Sequence, residues 1–189
     1  MSLQSWSEVL INSAVAGAAV GNTTTQTTLL DATAIATLPA NYLSVGKTLH
    51  IWASGSVSNI ITAPGTLSFF VRMGGSVNAF SGGAMSINIV AKTNVTWILD
   101  LYLTCRAIGA STSCNFMGLG TWTSESVIGS PLPTVGGSGV FTLPFNTAPA
   151  IGTGFASTAA QTVDLQSTWS IANAGNTITL HEFILEAIN

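Results

Sequence analysis

From residue 25 onward, apolar and polar positions alternate with a period of two, interrupted at short intervals by Gly, Pro or Asn. Successive side chains of an extended chain point to opposite faces, so this alternation predicts short antiparallel strands with one buried side. Residues 48–57 set Leu49, Ile51 and Ala53 against His50, Trp52 and Ser54. Thr62-Ala63-Pro64-Gly65 then places Pro and Gly as a β-turn prefers them. In residues 66–73, Leu67, Phe69, Val71 and Met73 alternate with Ser68, Phe70 and Arg72. Gly74-Gly75 and Gly82-Gly83 bracket a short strand at 76–80, and another is expected from Met85 to Val90.

The clearest strand is 96–107, with Trp97, Leu99, Leu101, Leu103 and Cys105 on one face and Ile98, Asp100, Tyr102, Thr104 and Arg106 on the other. A turn around Gly109–Ser111 leads to a partner at 113–122, where Phe116 and Trp122 share a face with Gly118 and Gly120. If that hairpin closes around residues 109 and 110, paired positions sum to 219 and Cys105 faces Cys114. Further strands are expected at 139–145, 162–171 and 177–188, with long loops at 124–138 and 146–160. Loops of that length inside a compact domain usually do something, and here they read as surfaces that order against neighbours. Residues 1–24 form an N-terminal arm or a first strand, and 25–189 form one β domain. Eight or nine strands without crossover helices exclude a parallel sheet and predict an all-β antiparallel sandwich or jelly roll.

Composition changes this picture in one respect. Only 6% of the 189 residues are charged, against roughly a quarter in an ordinary domain, while the 47% hydrophobic content is ordinary. Thr, Ser, Asn and Gly replace the missing charge. Such a chain has little to keep its surface from associating, and burying that surface against copies of itself or a partner is the simplest remedy. Disorder requires low hydrophobicity with high net charge, and the net charge here is −3. The 38 residues from Ser126 to Val163 contain no Asp, Glu, Lys or Arg, but their Gly and Pro residues interrupt any run long enough for a membrane helix. A membrane β-barrel would need export, and residues 1–20 lack a basic-then-apolar leader pattern. Lys47, Arg72, Lys92 and Arg106 are too scattered to track phosphates, so neither nucleic acid nor membrane is an expected partner.

Candidate chemistry is sparse. His50 and His181 are the only histidines, have no Cys-x-x-Cys or His-x-His beside them, and read as exposed or edge-strand residues rather than metal ligands. Glu182 and Glu186 share a strand face, yet nothing around them suggests a cleft for acid–base work. No Gly-x-Ser-x-Gly occurs, and the glycine clusters lack the lysine and helix of a phosphate cradle. No catalytic residue, metal or cofactor is therefore expected, and the chain reads as a non-enzyme. Cys105 and Cys114 read as small core hydrophobes, with a disulfide as the alternative. Of the five tryptophans, Trp97 and Trp169 fall in the apolar phase of their strands. Trp52 falls in the polar phase, where an interface suits it better than a sugar site. Trp52, Leu132 and Ile151 are the expected interface residues, the last two because they lie in the charge-free stretch.

Several segments together resemble structural proteins of tailed bacteriophages. They are Leu38-Pro39-Ala40-Asn41-Tyr42-Leu43-Ser44-Val45-Gly46-Lys47-Thr48-Leu49, Phe70-Val71-Arg72-Met73-Gly74-Gly75 and Leu101-Tyr102-Leu103-Thr104-Cys105-Arg106-Ala107-Ile108-Gly109-Ala110. Asp164-Leu165-Gln166-Ser167-Thr168-Trp169-Ser170 and Asn176-Thr177-Ile178-Thr179-Leu180 complete the set, in the same order along the chain. The resemblance implies a jelly-roll-like domain, a virion location after assembly in the host cytoplasm, and no chemistry. The expected role is a capsid decoration (cement) protein, a homotrimer bound to the major capsid protein or another virion protein. A tail, baseplate or fibre component that binds a receptor or carbohydrate is the alternative.

Overall fold

The structure, a computed structural model, describes residues 6–60, 62–126 and 139–189. Its strands are β1 (Ser7–Ser13), β2 (Val20–Gly21), β3 (Thr27–Thr28), β4 (Ala36–Leu38), β5 (Thr48–Asn59), β6 (Thr66–Met73) and β7 (Val77–Ser81). They continue with β8 (Met85–Ser86), β9 (Lys92–Ala107), β10 (Asn115–Ser124), β11 (Val140–Leu143), β12 (Gln161–Trp169) and β13 (Thr177–Ile188). One 3-10 turn, Ala32–Ala34, is capped by Asp31, whose side chain accepts from Thr33 N. No helix among the described residues is long and apolar enough to cross a membrane.

Two antiparallel sheets stack face to face. The larger runs β1-β13-β5-β9-β10-β11 with β2 added on β13, and the smaller runs β3-β12-β6-β7 with β4 on β12 and β8 on β6. The pairs nest along the chain: β6 with β7, outside them β5 with β9, then β3 and β4 with β12, and β1 with β13 outermost. That nesting, with alternate pairs assigned to alternate sheets, is a jelly roll, into which β10 and β11 are inserted. The expected sandwich is the observed one. Four of the strands are only two or three residues long, which the alternation could not register.

The periodicity places the core where the sequence puts it. Along β5 every second residue from Leu49 to Asn59 is buried, and Leu49, Ile51 and Ala53 are fully enclosed. Trp97, Leu99, Leu101, Leu103 and Cys105 of β9 are fully enclosed too, facing Leu67, Phe69, Val71 and Met73 of β6. Aromatic contacts bind the layers: Phe69 lies 5.8 Å from Trp97 and 5.3 Å from Trp122. The Trp97 indole N–H is shared between the carbonyls of Ser56 and Thr179, at 3.2 Å each.

Three expectations need correction. The strand from Met85 to Val90 is only Met85–Ser86, because Asn88 turns away: its amide bonds to the Ser126 carbonyl and its side chain accepts from Val90 N. The β9–β10 hairpin pairs Cys105 with Phe116, so positions sum to 221, and a register shift follows at Asn115/Phe116. Cys114 instead bridges to Phe155. The two thiols are buried and unbonded, and that of Cys105 donates to the Ala107 carbonyl at 3.3 Å. Finally, residues 146–160 do not wait for a neighbour in order to pack. Ile151 bridges to Met117 and Phe155 to Cys114, and Phe155 and Ser157 are buried.

Burial, reinforced by the charge of Cys105, pushes the Cys114 thiol up to about 12, and burial raises Cys105 as well. Little thiolate then exists at pH 8, and the thiolate is the nucleophile. Ellman's reagent is expected to titrate neither cysteine in the native protein and two per chain after denaturation. Fast reaction of the native protein would contradict the burial. Because both pKa values are raised on folding, their contribution to stability is present below the ordinary thiol value of 9.0 and is lost as pH climbs through about 12.

Candidate functional site: the outer face of the seven-stranded sheet

Residues out of phase with the core share the solvent side of the larger sheet, and strand register brings them into rows. One row runs Glu186 (β13), His50 (β5), Tyr102 (β9), Leu119 (β10). The next runs Ile184, Trp52, Asp100, Thr121, and the one beyond it Glu182, Ser54, Ile98, Thr123, Val140. On the other side of the first row lie Ile188, Thr48, Thr104 and Met117.

His50 is the centre of this face. Its Nε2 lies 2.9 Å from Asp100 Oδ1 and its Nδ1 3.2 Å from Glu186 Oε2. Carboxylate oxygens only accept, so both contacts are hydrogen bonds at once when both ring nitrogens carry a proton. The ring stacks on Tyr102 at 4.4 Å between centroids and 13° between planes. The expectation of an exposed or edge-strand histidine is therefore corrected for His50, which lies on a central strand with a side chain only 17% exposed. His181 is exposed at the bulge between Leu180 and Glu182, where its Nε2 lies 3.1 Å from Ser56 Oγ.

The rest of the face mixes acid and hydrocarbon. Glu182 accepts from Ser54 Oγ at 3.4 Å. Val9, Ile98, Tyr102, Leu119 and Val140 are all exposed. Among the described residues no group of His, Cys, Asp and Glu is arranged to hold a metal. What the face offers a partner is two aromatic side chains, Trp52 and Tyr102, beside prepositioned carboxylates, with exposed aliphatic groups interspersed among them.

Of the expected interface residues, Trp52 lies half-buried within this face, between Asp100 and Ile184. Ile151 is 53% exposed at the far edge of the same sheet, bridged to Met117. Leu132 lies outside the described residues. The convergence of His50, Asp100, Tyr102 and Glu186 was not anticipated from the sequence. Each stands in the polar phase of a well-formed strand, which is the available signal, but only the register of three strands makes them neighbours.

The class that the strand order defines is a jelly-roll β-sandwich. No protein-family profile and no curated protein matches the chain. Among solved structures, it is similar to the CBM2 module of the evolved Dit of Lactobacillus casei BL23 phage J-1, with a TM-score of 0.31 and 10% identity over 82% of this chain and 68% of that one. A likeness of that size carries no argument about ligand or role.

Proposed function

We propose that this chain is a non-enzymatic structural protein of a tailed-phage virion, a capsid decoration protein that binds the head shell as a symmetric homo-oligomer, in the leading form a trimer. The observation that carries the reading is the number of large apolar side chains exposed on the outer face of the larger sheet: Val9, Ile98, Tyr102 and Leu119 all stand there. Tyr102 and Leu119 are direct cross-strand neighbours, and exposed apolar side chains that adjoin one another mark a contact surface. The low charge of the whole chain and the resemblance of its segments to phage structural proteins support the same reading. Mechanically, such a protein acts by burying these faces against its own copies and the shell, which adds contacts that resist the pressure of packaged genome.

The charge-free stretch supplies the second part of the contact, with Ile151 exposed at the sheet edge. Ile151→Lys and Leu132→Lys are expected to leave thermal unfolding of the isolated protein nearly unchanged while weakening assembly, because an unpaired charge is costly to bury. Light scattering of the purified protein, and occupancy of particles grown with each variant, read this directly. A wild-type monomer at micromolar concentration would overturn the assembly reading.

A second reading has Trp52 and Tyr102 beside Asp100 and Glu186 in its favour. An aromatic surface flanked by hydrogen-bond acceptors suits a saccharide, and would fit a tail, baseplate or fibre component. Cryo-electron microscopy of the particle separates the two: density on the head lattice supports decoration, and density on the tail supports the alternative.

A further inference from the structure

We propose that the outer face of the seven-stranded sheet is a two-fold contact with a second copy of this chain, in which Arg106 of each copy meets Asp100 of the other. This rests on the reading of the protein as a self-assembling one and names the surface and symmetry. Asp100, Glu182 and Glu186 lie on this face, and the chain has only four basic residues with which to answer them. Lys47 is committed to Tyr42, with Nζ 3.1 Å from the Tyr42 carbonyl and 3.9 Å from the ring centre. Lys92 pairs with Glu125 at 3.4 Å. Arg72 lies on β6, in the other sheet. Arg106 remains: it is exposed, forms no salt bridge among the described residues, and shares the outward phase of β9 with Asp100.

Within one copy the two cannot meet. Six residues of strand separate Asp100 from Arg106, about 20 Å at the rise of an extended chain. A two-fold axis crossing β9 between Tyr102 and Thr104 removes that distance, because it sets residue 106 of one copy opposite residue 100 of the other. It also sets Tyr102, 42% exposed, opposite Thr104. On β9 acid meets base and the aromatic ring falls near the centre, where a contact usually concentrates its binding energy, while Glu186 and Glu182 keep His50 and Ser54 as partners within their own copy. Self-complementarity of this kind, residue i on j and j on i, is what an isologous interface requires.

The geometry admits it. Asp100 Oδ1 accepts from His50, and Oδ2 has no partner among the described residues. The side chain is 45% exposed, and the His50 contact holds it in place for an incoming guanidinium. Sheets packed face to face stand about 10 Å apart, a gap that side chains from both faces fill. Six strands at about 4.8 Å spacing and eight residues of length give a footprint of about 29 by 26 Å, near the ~800 Å² each partner contributes to a stable interface. A two-fold contact makes the copy number even: two, or six where the charge-free stretch closes a ring of three.

The test is charge exchange read by sedimentation and light scattering on the full chain. Arg106→Glu lies at an exposed position and leaves the fold intact by circular dichroism, but sets carboxylate against carboxylate twice, and is expected to weaken pairing at least ~100-fold. Asp100→Arg does the same with two guanidinium groups. Mixing the two single variants restores both contacts in a heterodimer, and the double variant D100R/R106E restores them in a homodimer. Rescue in both arrangements supports the proposal. An even-numbered wild-type oligomer that Arg106→Glu leaves unchanged, or a trimer that associates no further, would overturn this inference and leave the assembly reading standing. A wild-type monomer would overturn both, and would leave this face to a different occupant.

Discussion

Trp97→Ala is expected to cost about 3–5 kcal/mol of folding stability, the range for truncating a fully buried large aromatic side chain. Trp97 is completely enclosed, packs against Phe69, and divides its indole N–H between two carbonyls on different strands. Removing it opens a cavity at the junction of β5, β9 and β13 and deletes both hydrogen bonds. Two milder substitutions separate these losses. Trp97→Phe keeps most of the volume and forfeits the hydrogen bonds, for about 1–3 kcal/mol. Trp122→Phe should cost less, because the Trp122 indole N–H is buried with no acceptor among the described residues. Leu99→Ala and Leu101→Ala belong with the large losses, at about 2–5 kcal/mol each. Asp100→Ala, between them but 45% exposed, should lose about 1 kcal/mol or less. Urea denaturation of the set reads all of this, and equal losses at residues 99, 100 and 101 would contradict the alternation of β9.

Gly152→Ala is expected to lift the 146–160 segment off the sandwich. A Cβ at residue 152 would sit 1.8 Å from the Ala79 carbonyl oxygen and 2.7 Å from its carbon, both backbone atoms of β7 that cannot step aside. The Gly152 amide meanwhile donates to the Phe116 carbonyl at 2.9 Å, so the backbone is held from two sides. Overpacking of this kind costs about 1–3 kcal/mol or more. The readout that isolates it is amide hydrogen exchange at Cys114 and Phe155, which donate to each other's carbonyls at 2.9 and 2.8 Å. Their protection should fall while that of the central strands β5 and β9 persists. Gly139→Ala is the matched control, since the nearest atom to its Cβ would be 3.6 Å away. Unchanged protection in Gly152→Ala would mean that this segment is not clamped to β7.

How far the sequence reached depended on the range of the interaction. Strand alternation is local, since a side chain's face is set by its own backbone, and so β6 and β13 were legible to the residue, while β5 and β9 run two and four residues further at one end than their alternation marked. The low charge was legible as well, and with it the expectation that this surface associates. By itself the sequence thus determined an antiparallel sandwich, its core positions on the long strands, and a chain poor in ionisable side chains. It could not determine register across distant strands, because pairing β13 with β5 joins residues more than a hundred positions apart and depends on every strand between. His50, Asp100, Tyr102 and Glu186 therefore became a cluster only in the folded molecule. The single extra residue of β9, Arg106, shifted the Cys105 hairpin for a similar reason: Cys114 pairs with Phe155, a contact made by a segment whose own pattern, small and uncharged, predicted a loop. Tertiary structure also decided what glycine did in that segment. At Gly152 the missing side chain lets one backbone lie directly on another, a demand set wholly by the neighbour across the gap.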